Sequence, residues 1–189
     1  MSVIPTVLEQ SARGERAFDI YSMLLKERIV FLTGELDDRA GGDVAAQLMT
    51  LDASGDEPVH LRVDSPGGTL DAAFVLIDTI GLLGIPVHAA CVGRATGSAV
   101  GVLAAAEVRR AAPHASFRLC QPDENARGVA SELQSWIAHK QRLLDDFHRH
   151  LAAATGRPLE QVEADTGAGR FLDADEAVAY GLVHEVWTR

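Results

Sequence analysis

The sequence predicts an α/β fold in which parallel strands are covered by helices. Three features carry that expectation: short apolar runs that stop at glycine, helical segments of 3.6-residue periodicity between them, and glycine-rich turns joining strand to helix. Residues 1–16 mix Pro5, Ser11, Gly14 and charges with a short apolar patch and read as a flexible or partner-ordered arm. FDIYSMLLKE then puts Phe18, Tyr21, Leu24 and Leu25 on one helical face. RIVFLTG (28–34) reads as a strand, DVAAQLMTLD (43–52) as a helix and HLRVD (60–64) as a strand that runs into the turn SPGG. TLDAAFVLIDTIGLLG (69–84) is a further helix, stopped by Gly84 and Pro86. VHAACVG (87–93) is a buried strand, GSAVGVLAAAE the helix after it and FRLCQ (117–121) another strand.

Residues 129–154 form one uninterrupted helix, about 39 Å long at 1.5 Å per residue. Val129, Leu133, Trp136, Ile137, Leu143, Leu144, Phe147 and Leu151 keep helical spacing up to Thr155-Gly156, with Pro158 beyond. Either this helix packs wholly on its own domain, or part of its apolar face serves an oligomer contact. From Leu159 the tail gives two short helices and a last strand, LVHEVW. No composition shift marks a boundary, so residues 17–189 read as a single domain behind the arm 1–16.

Composition narrows the function classes. The chain has 189 residues, 47% of them hydrophobic and 23% charged, which is enough apolar material for a core and argues against disorder. Its net charge of −10 disfavours a nucleic-acid partner, because phosphate binding relies on Lys and Arg. Cys91 and Cys120 make no disulfide scaffold, which points to a reducing compartment. The longest apolar stretch, Ala95–Ala106, is too short to span a bilayer, and the N-terminus lacks a basic region followed by an apolar one. A cytoplasmic protein without metal or cofactor is the expectation.

Two glycine turns hold the candidate chemistry. Asp64-Ser65-Pro66-Gly67-Gly68 lies between a strand and a helix. Taken alone it is a plain tight turn; in a cleft, its N–H groups would stabilise an anion or a developing oxyanion. It is neither a Walker loop nor a GxGxxG fingerprint. The second turn, Cys91 to Ala99, joins a buried strand to a small-residue helix, the corner at which a hydrolase nucleophile often sits. Ser98 is the candidate hydroxyl there besides Thr96, with capping or packing as its plainer role.

These motifs resemble the proteolytic subunit of the Clp protease. FDIYSMLLKERIVFLTGELDD, DSPGGTLDAA, CVGRA, TGRPLEQVEADT and DTGAGRFLDADEAVAYGLVHEVWTR carry the likeness, essentially end to end. The resemblance implies a ClpP/crotonase-type fold of repeated β-β-α units, with helix 129–154 as a protruding handle and the arm 1–16 as an axial-loop counterpart. It also implies heptameric rings stacked into a tetradecameric barrel, a Ser-His-Asp triad and a hexameric AAA+ unfoldase.

The departures concern the triad. Aligned without gaps, Gly97 stands at the nucleophile position of the family, Cys120 at the histidine position before Gln121-Pro122, and Gly169 at the aspartate position before Arg170-Phe171-Leu172. Gly67, Gly68 and the N–H of Ser98 would remain as the oxyanion-hole backbone. Asp123, Glu124 and Asn125 replace a glycine-rich strand that pairs with substrate, and His60 and Arg62 replace aromatics of the unfoldase-docking pocket, which should weaken docking.

The first functional reading is therefore a catalytically inactive, structural or regulatory barrel subunit, as a homo-oligomer or mixed with an active Clp proteolytic subunit. The second is an active ATP-dependent serine endopeptidase rebuilt around Ser98. That residue is one position along, a rotation of roughly 100° on a helix, and it would need a base within about 3 Å. His114 is expected in the loop before the strand of Cys120, and His139, His148 and His150 on the handle, away from the turn. A third reading, a crotonase-like acyl-CoA enzyme, conflicts with the tail, which resembles the protease family.

Overall fold

A computed structural model describes residues 6–11, 14–122 and 127–188. Two segments of the expected arm are paired: β1 (Thr6–Ser11) and β2 (Gly14–Asp19) form an antiparallel ribbon, with Ser11 opposite Gly14. The reading of residues 1–16 as a flexible or partner-ordered arm does not include this pairing. Polar, charge-rich stretches give no burial signal, yet their backbone groups pair with one another.

Chain order then runs α1 (Ile20–Lys26), β3 (Ile29–Thr33), α2 (Asp38–Asp52), β4 (Val59–Ser65), α3 (Leu70–Leu82), β5 (Val87–Thr96), α4 (Ser98–Ala104), β6 (Val108–Ala111) and β7 (Ser116–Leu119). It closes with α5 (Ala130–Thr155), α6 (Leu159–Ala168), β8 (Arg170–Leu172), α7 (Ala174–Tyr180) and β9 (Glu185–Val186). The main sheet has the order β3-β4-β5-β6-β9, every neighbouring pair parallel. The α/β expectation therefore holds, with β6 and β8 added to it.

β5 belongs to two pairings. Its first half, His88–Cys91, lies beside β6, and its second half, Arg94–Thr96, lies beside β7. The register with β4 slips between Val63 and Ser65. At the slip the Asp64 carboxylate accepts the Arg94 N–H at 3.1 Å, and it occupies the space that a side chain at Gly93 would need. β7 is carried away from the main sheet and pairs antiparallel with β8. This corner builds the cleft.

One face of the sheet is buried. On β4, Val59, Leu61, Val63 and Ser65 point inward, against a core that includes Leu48, Leu76 and Leu103, while His60 and Arg62 point to the other face. α2 starts at Asp38, earlier than the sequence suggests, capped by the Asp37 carboxylate accepting from the Ala40 N–H at 2.8 Å. All seven residues of α4 are buried. A side chain at Gly101 would overlap the Phe147 ring, so glycine sets how closely α4 and α5 pack.

α5 runs for 26 residues, but only Phe147, His148 and Leu151 are buried. Val129 and Ile137, towards its start, are 62% and 60% exposed, while Leu133 and Trp136 are half-buried, so the apolar stripe of that half is only partly covered within one chain. The packing of the two halves thus differs, and the choice left open by the sequence resolves only for the second half.

His148 is buried where α5 meets α6, its Nε2 2.9 Å from Thr166 Oγ1. Burial lowers its pKa below the ordinary imidazole value, against the pull of Glu163 and Asp145. The folded state therefore favours neutral imidazole. As the pH falls below about 6.5, the unfolded chain takes up the proton first and stability drops, until the lowered folded value is passed. Urea unfolding from pH 8 to pH 5 should give a falling midpoint, and His148→Leu should lessen that fall, with His60 and His184, whose pKa values burial also lowers, accounting for part of the rest.

Candidate functional site

The cleft forms where three segments meet. β4 ends at Ser65, and the chain turns through Pro66-Gly67-Gly68 into α3, whose N-cap Thr69 accepts from the Ala72 N–H at 3.2 Å. Gly67 has φ +84, a left-handed conformation, and its Cβ would overlap the Thr96 carbonyl. Gly68 lies against the stretch after β3: Leu36 N–H donates to Gly67 O at 2.9 Å and Thr69 N–H to Leu36 O at 3.0 Å. The third segment is the β5–α4 corner, where Gly97 has φ 53 and ψ −120.

A cavity of about 310 Å³ opens between these segments. Glu35, Gly67, Gly68, Thr96, Gly97, Ser98, Arg118, Cys120 and Gln121 contribute to its lining, and among the described residues no histidine does. The strands bring Gly97 and Cys120 together. A Cβ at Gly97 would be 3.5 Å from Cys120 Sγ, and Gly97 N–H donates to Arg118 O at 3.0 Å. Gly169, the left-handed cap of α6 at φ 68, stands next in line: a Cβ there would be 3.2 Å from Arg118 Nη2. Gly97 and Gly169 thus flank Cys120, just after β7, and Arg118, on β7.

Ser98 is placed differently from what a nucleophile requires. Its side chain is fully buried, and its Oγ accepts the Gly68 N–H at 2.8 Å and donates to Gly68 O at 3.0 Å. The Gly67 N–H is likewise taken, by Ser65 Oγ at 3.1 Å. Two of the three backbone groups expected to face an oxyanion are therefore engaged by serine hydroxyls. Among the described residues, no hydrogen bond joins Ser98 to a histidine.

The histidines lie elsewhere. His114 sits in the turn between β6 and β7. His150 reaches α4, but at Gly101 O, 2.9 Å away and one turn beyond the corner. Cys91, on β5, is buried among core residues, and burial pushes its thiol up to about 12, which removes it from thiolate chemistry.

His60 and Arg62 share the other face of the sheet. The His60 and His88 rings meet edge to face at 5.7 Å, and the Arg62 guanidinium stacks 4.7 Å above the Trp187 ring. Burial, followed by the nearby Arg62, His88 and Arg110, lowers the His60 pKa. Asp123, Glu124 and Asn125 lie outside the described residues.

With the geometry in place, one comparison is decisive: the family model for Clp protease matches residues 12–189. The chain belongs to the Clp protease family. That membership makes it a subunit of the proteolytic, ClpP-like kind and implies an oligomeric assembly. The sheet and helices described above are those of a mixed α/β subunit of this family. Among the described residues, no helix is long and apolar enough to cross a membrane, and no three His, Cys, Asp or Glu side chains are placed to hold a metal ion.

The residue that sequence reading missed is Arg118. Its signal is the strand alternation itself: Phe117 and Leu119 are buried, so Arg118 and Cys120 share the opposite face. Ser98→Ala should strand the Gly68 N–H and C=O, and should lower stability by about 1–3 kcal/mol in chemical denaturation.

Proposed function

We propose that this chain is a non-catalytic subunit of a Clp-type barrel, acting through assembly, alone or beside an active proteolytic subunit. The observation that carries the reading is the corner at Gly97: the position resembling the family nucleophile has no side chain, and its neighbour is a thiol rather than an imidazole. Acyl transfer by a serine needs a hydroxyl, a base in hydrogen-bond reach and donors aimed at the oxyanion. Here the position carries no hydroxyl, no histidine among the described residues lines the cavity, and Gly67 and Gly68 spend their N–H groups internally.

The alternative, an ATP-dependent endopeptidase rebuilt on Ser98, is weighed down by the same contacts. Ser98 would have to leave a buried position and surrender two hydrogen bonds before it met substrate. A residual rate of ~10³–10⁴ over water is all that remains in a serine protease stripped of its triad.

Two surface features support an assembly role. The first half of α5 carries an apolar stripe that its own chain covers only in part, which supports a handle role. His60 and Arg62, polar and partly buried, support weakened docking of an AAA+ unfoldase on that face. Cytoplasmic placement is part of the same proposal.

Native mass spectrometry tests the assembly role. The purified chain, alone or mixed with a catalytic subunit of the family, should run as a heptamer or tetradecamer. A monomer under both conditions would overturn the proposal. Peptidase activity that depends on Ser98 would favour the alternative.

A further inference from the structure

The position resembling the catalytic aspartate is a glycine, and an arginine fills the space beside it. Arg118 projects from β7 on the same side as Cys120, stacked 5.1 Å from the Phe171 ring. Its Nη2 is 3.2 Å from where a Cβ of Gly169 would be, so a side chain there would crowd the guanidinium and glycine leaves it room. Among the described residues, no hydrogen bond or ion pair engages its side chain. Stacking on a ring occupies the face of a guanidinium and leaves its in-plane N–H fork for an oxyanion.

The cavity is therefore polarised. Arg118 supplies a cation from the β7 side. Glu35 supplies an anion from the Gly67–Gly68 side, since it precedes Leu36, which bridges to Gly68. The Gly67 and Gly68 amides are already engaged, so an anion entering the cavity meets the guanidinium rather than a backbone nest. Next to it runs an apolar groove of about 200 Å³, lined by Leu70, Trp136, Ile137 and Leu144 and sharing Gln121 and Pro122 with the cavity.

We propose that this cleft is a binding site for an apolar carboxylate, with the carboxylate forked on Arg118 and the apolar part in the groove beyond Pro122. The C-terminus of a peptide ending in an apolar residue and a short free alkanoate share this chemistry. The proposal rests on the non-catalytic reading, because a peptide bound there has to stay intact.

Calorimetric titration at constant ionic strength tests it, with an N-acetylated peptide ending in leucine, its C-terminal amide, hexanoate and inorganic phosphate. The free acid should bind about ten-fold or more tighter than the amide, as a charge-assisted pair implies. Arg118→Met should reduce that preference below about two-fold, and Arg118→Lys should keep part of it. Arg118 is exposed, so both variants should unfold as the wild type does. Gly169→Asp, which sets a carboxylate against the guanidinium, should also remove the preference. The ratio of peptide to hexanoate affinity tells which source the groove prefers, and binding of either one through Arg118 supports the proposal. Equal binding of acid and amide, a preference that survives Arg118→Met, or phosphate binding as tightly as the peptide would each overturn it. Mass analysis of the recovered peptide separates the two failures: cleavage would refute the non-catalytic reading, whereas an intact but unbound peptide would refute only the carboxylate site.

Discussion

The approach of Gly68 to the Leu36 carbonyl organises the cleft. A side chain at Gly68 would overlap that backbone, so the turn after β4 can lie against the stretch after β3 only as glycine. Three strand ends converge through it. Leu36 donates to Gly67 O and accepts from the Thr69 N–H across the turn, and Ser98 clasps Gly68 from the start of α4 with both its donor and its acceptor. Packing of this kind has little freedom: interiors are dense, and backbone-to-backbone contacts do not relax as side chains do. The frame that would hold a reaction centre is kept, while the groups that would react at it are absent from the positions resembling the family triad.

Charge completes the contrast. A relay of serine, histidine and aspartate stabilises an imidazolium with a buried anion. Along the same line this chain has glycine, cysteine and glycine, with the Arg118 cation beside the last of them. A cation there would oppose an imidazolium but suits a carboxylate. On the proposed reading, the missing triad side chains and the Arg118 cation belong to one electrostatic arrangement, in a chain whose net charge is −10. The serine hydroxyls that cap Gly67 and Gly68 point the same way, since they satisfy amides that an oxyanion would otherwise meet.

Much of the scaffold was legible in the sequence. β3, β4, β5 and α3 lie close to where apolar runs and caps put them, and α5 runs over Ala130–Thr155 against an expected 129–154. Where legibility ended, the reasons are physical. The start of α2 was hidden by Gly41-Gly42, poor helix formers; a Cβ at Gly41 would press on Ala72 O at 3.1 Å, so close packing of α2 on α3 decides there rather than propensity. β6 carries Arg109 and Arg110 in four residues, and β8 is three residues long, so neither shows an apolar run. In the cleft, the positions of Gly97, Cys120 and Gly169 were legible only through the family resemblance. Their proximity, the engagement of Ser98 with Gly68 and the place of Arg118 depend on strands far apart in the chain, which periodicity cannot reach.

Intact-mass analysis after exposure to a fluorophosphonate tests the absence of a serine nucleophile most directly. A chain with no activated hydroxyl keeps its mass under conditions that fully label an active member of the family. A single adduct on the wild type that disappears in Ser98→Ala would mean that the buried hydroxyl reaches a base after all, and would contradict the non-catalytic account.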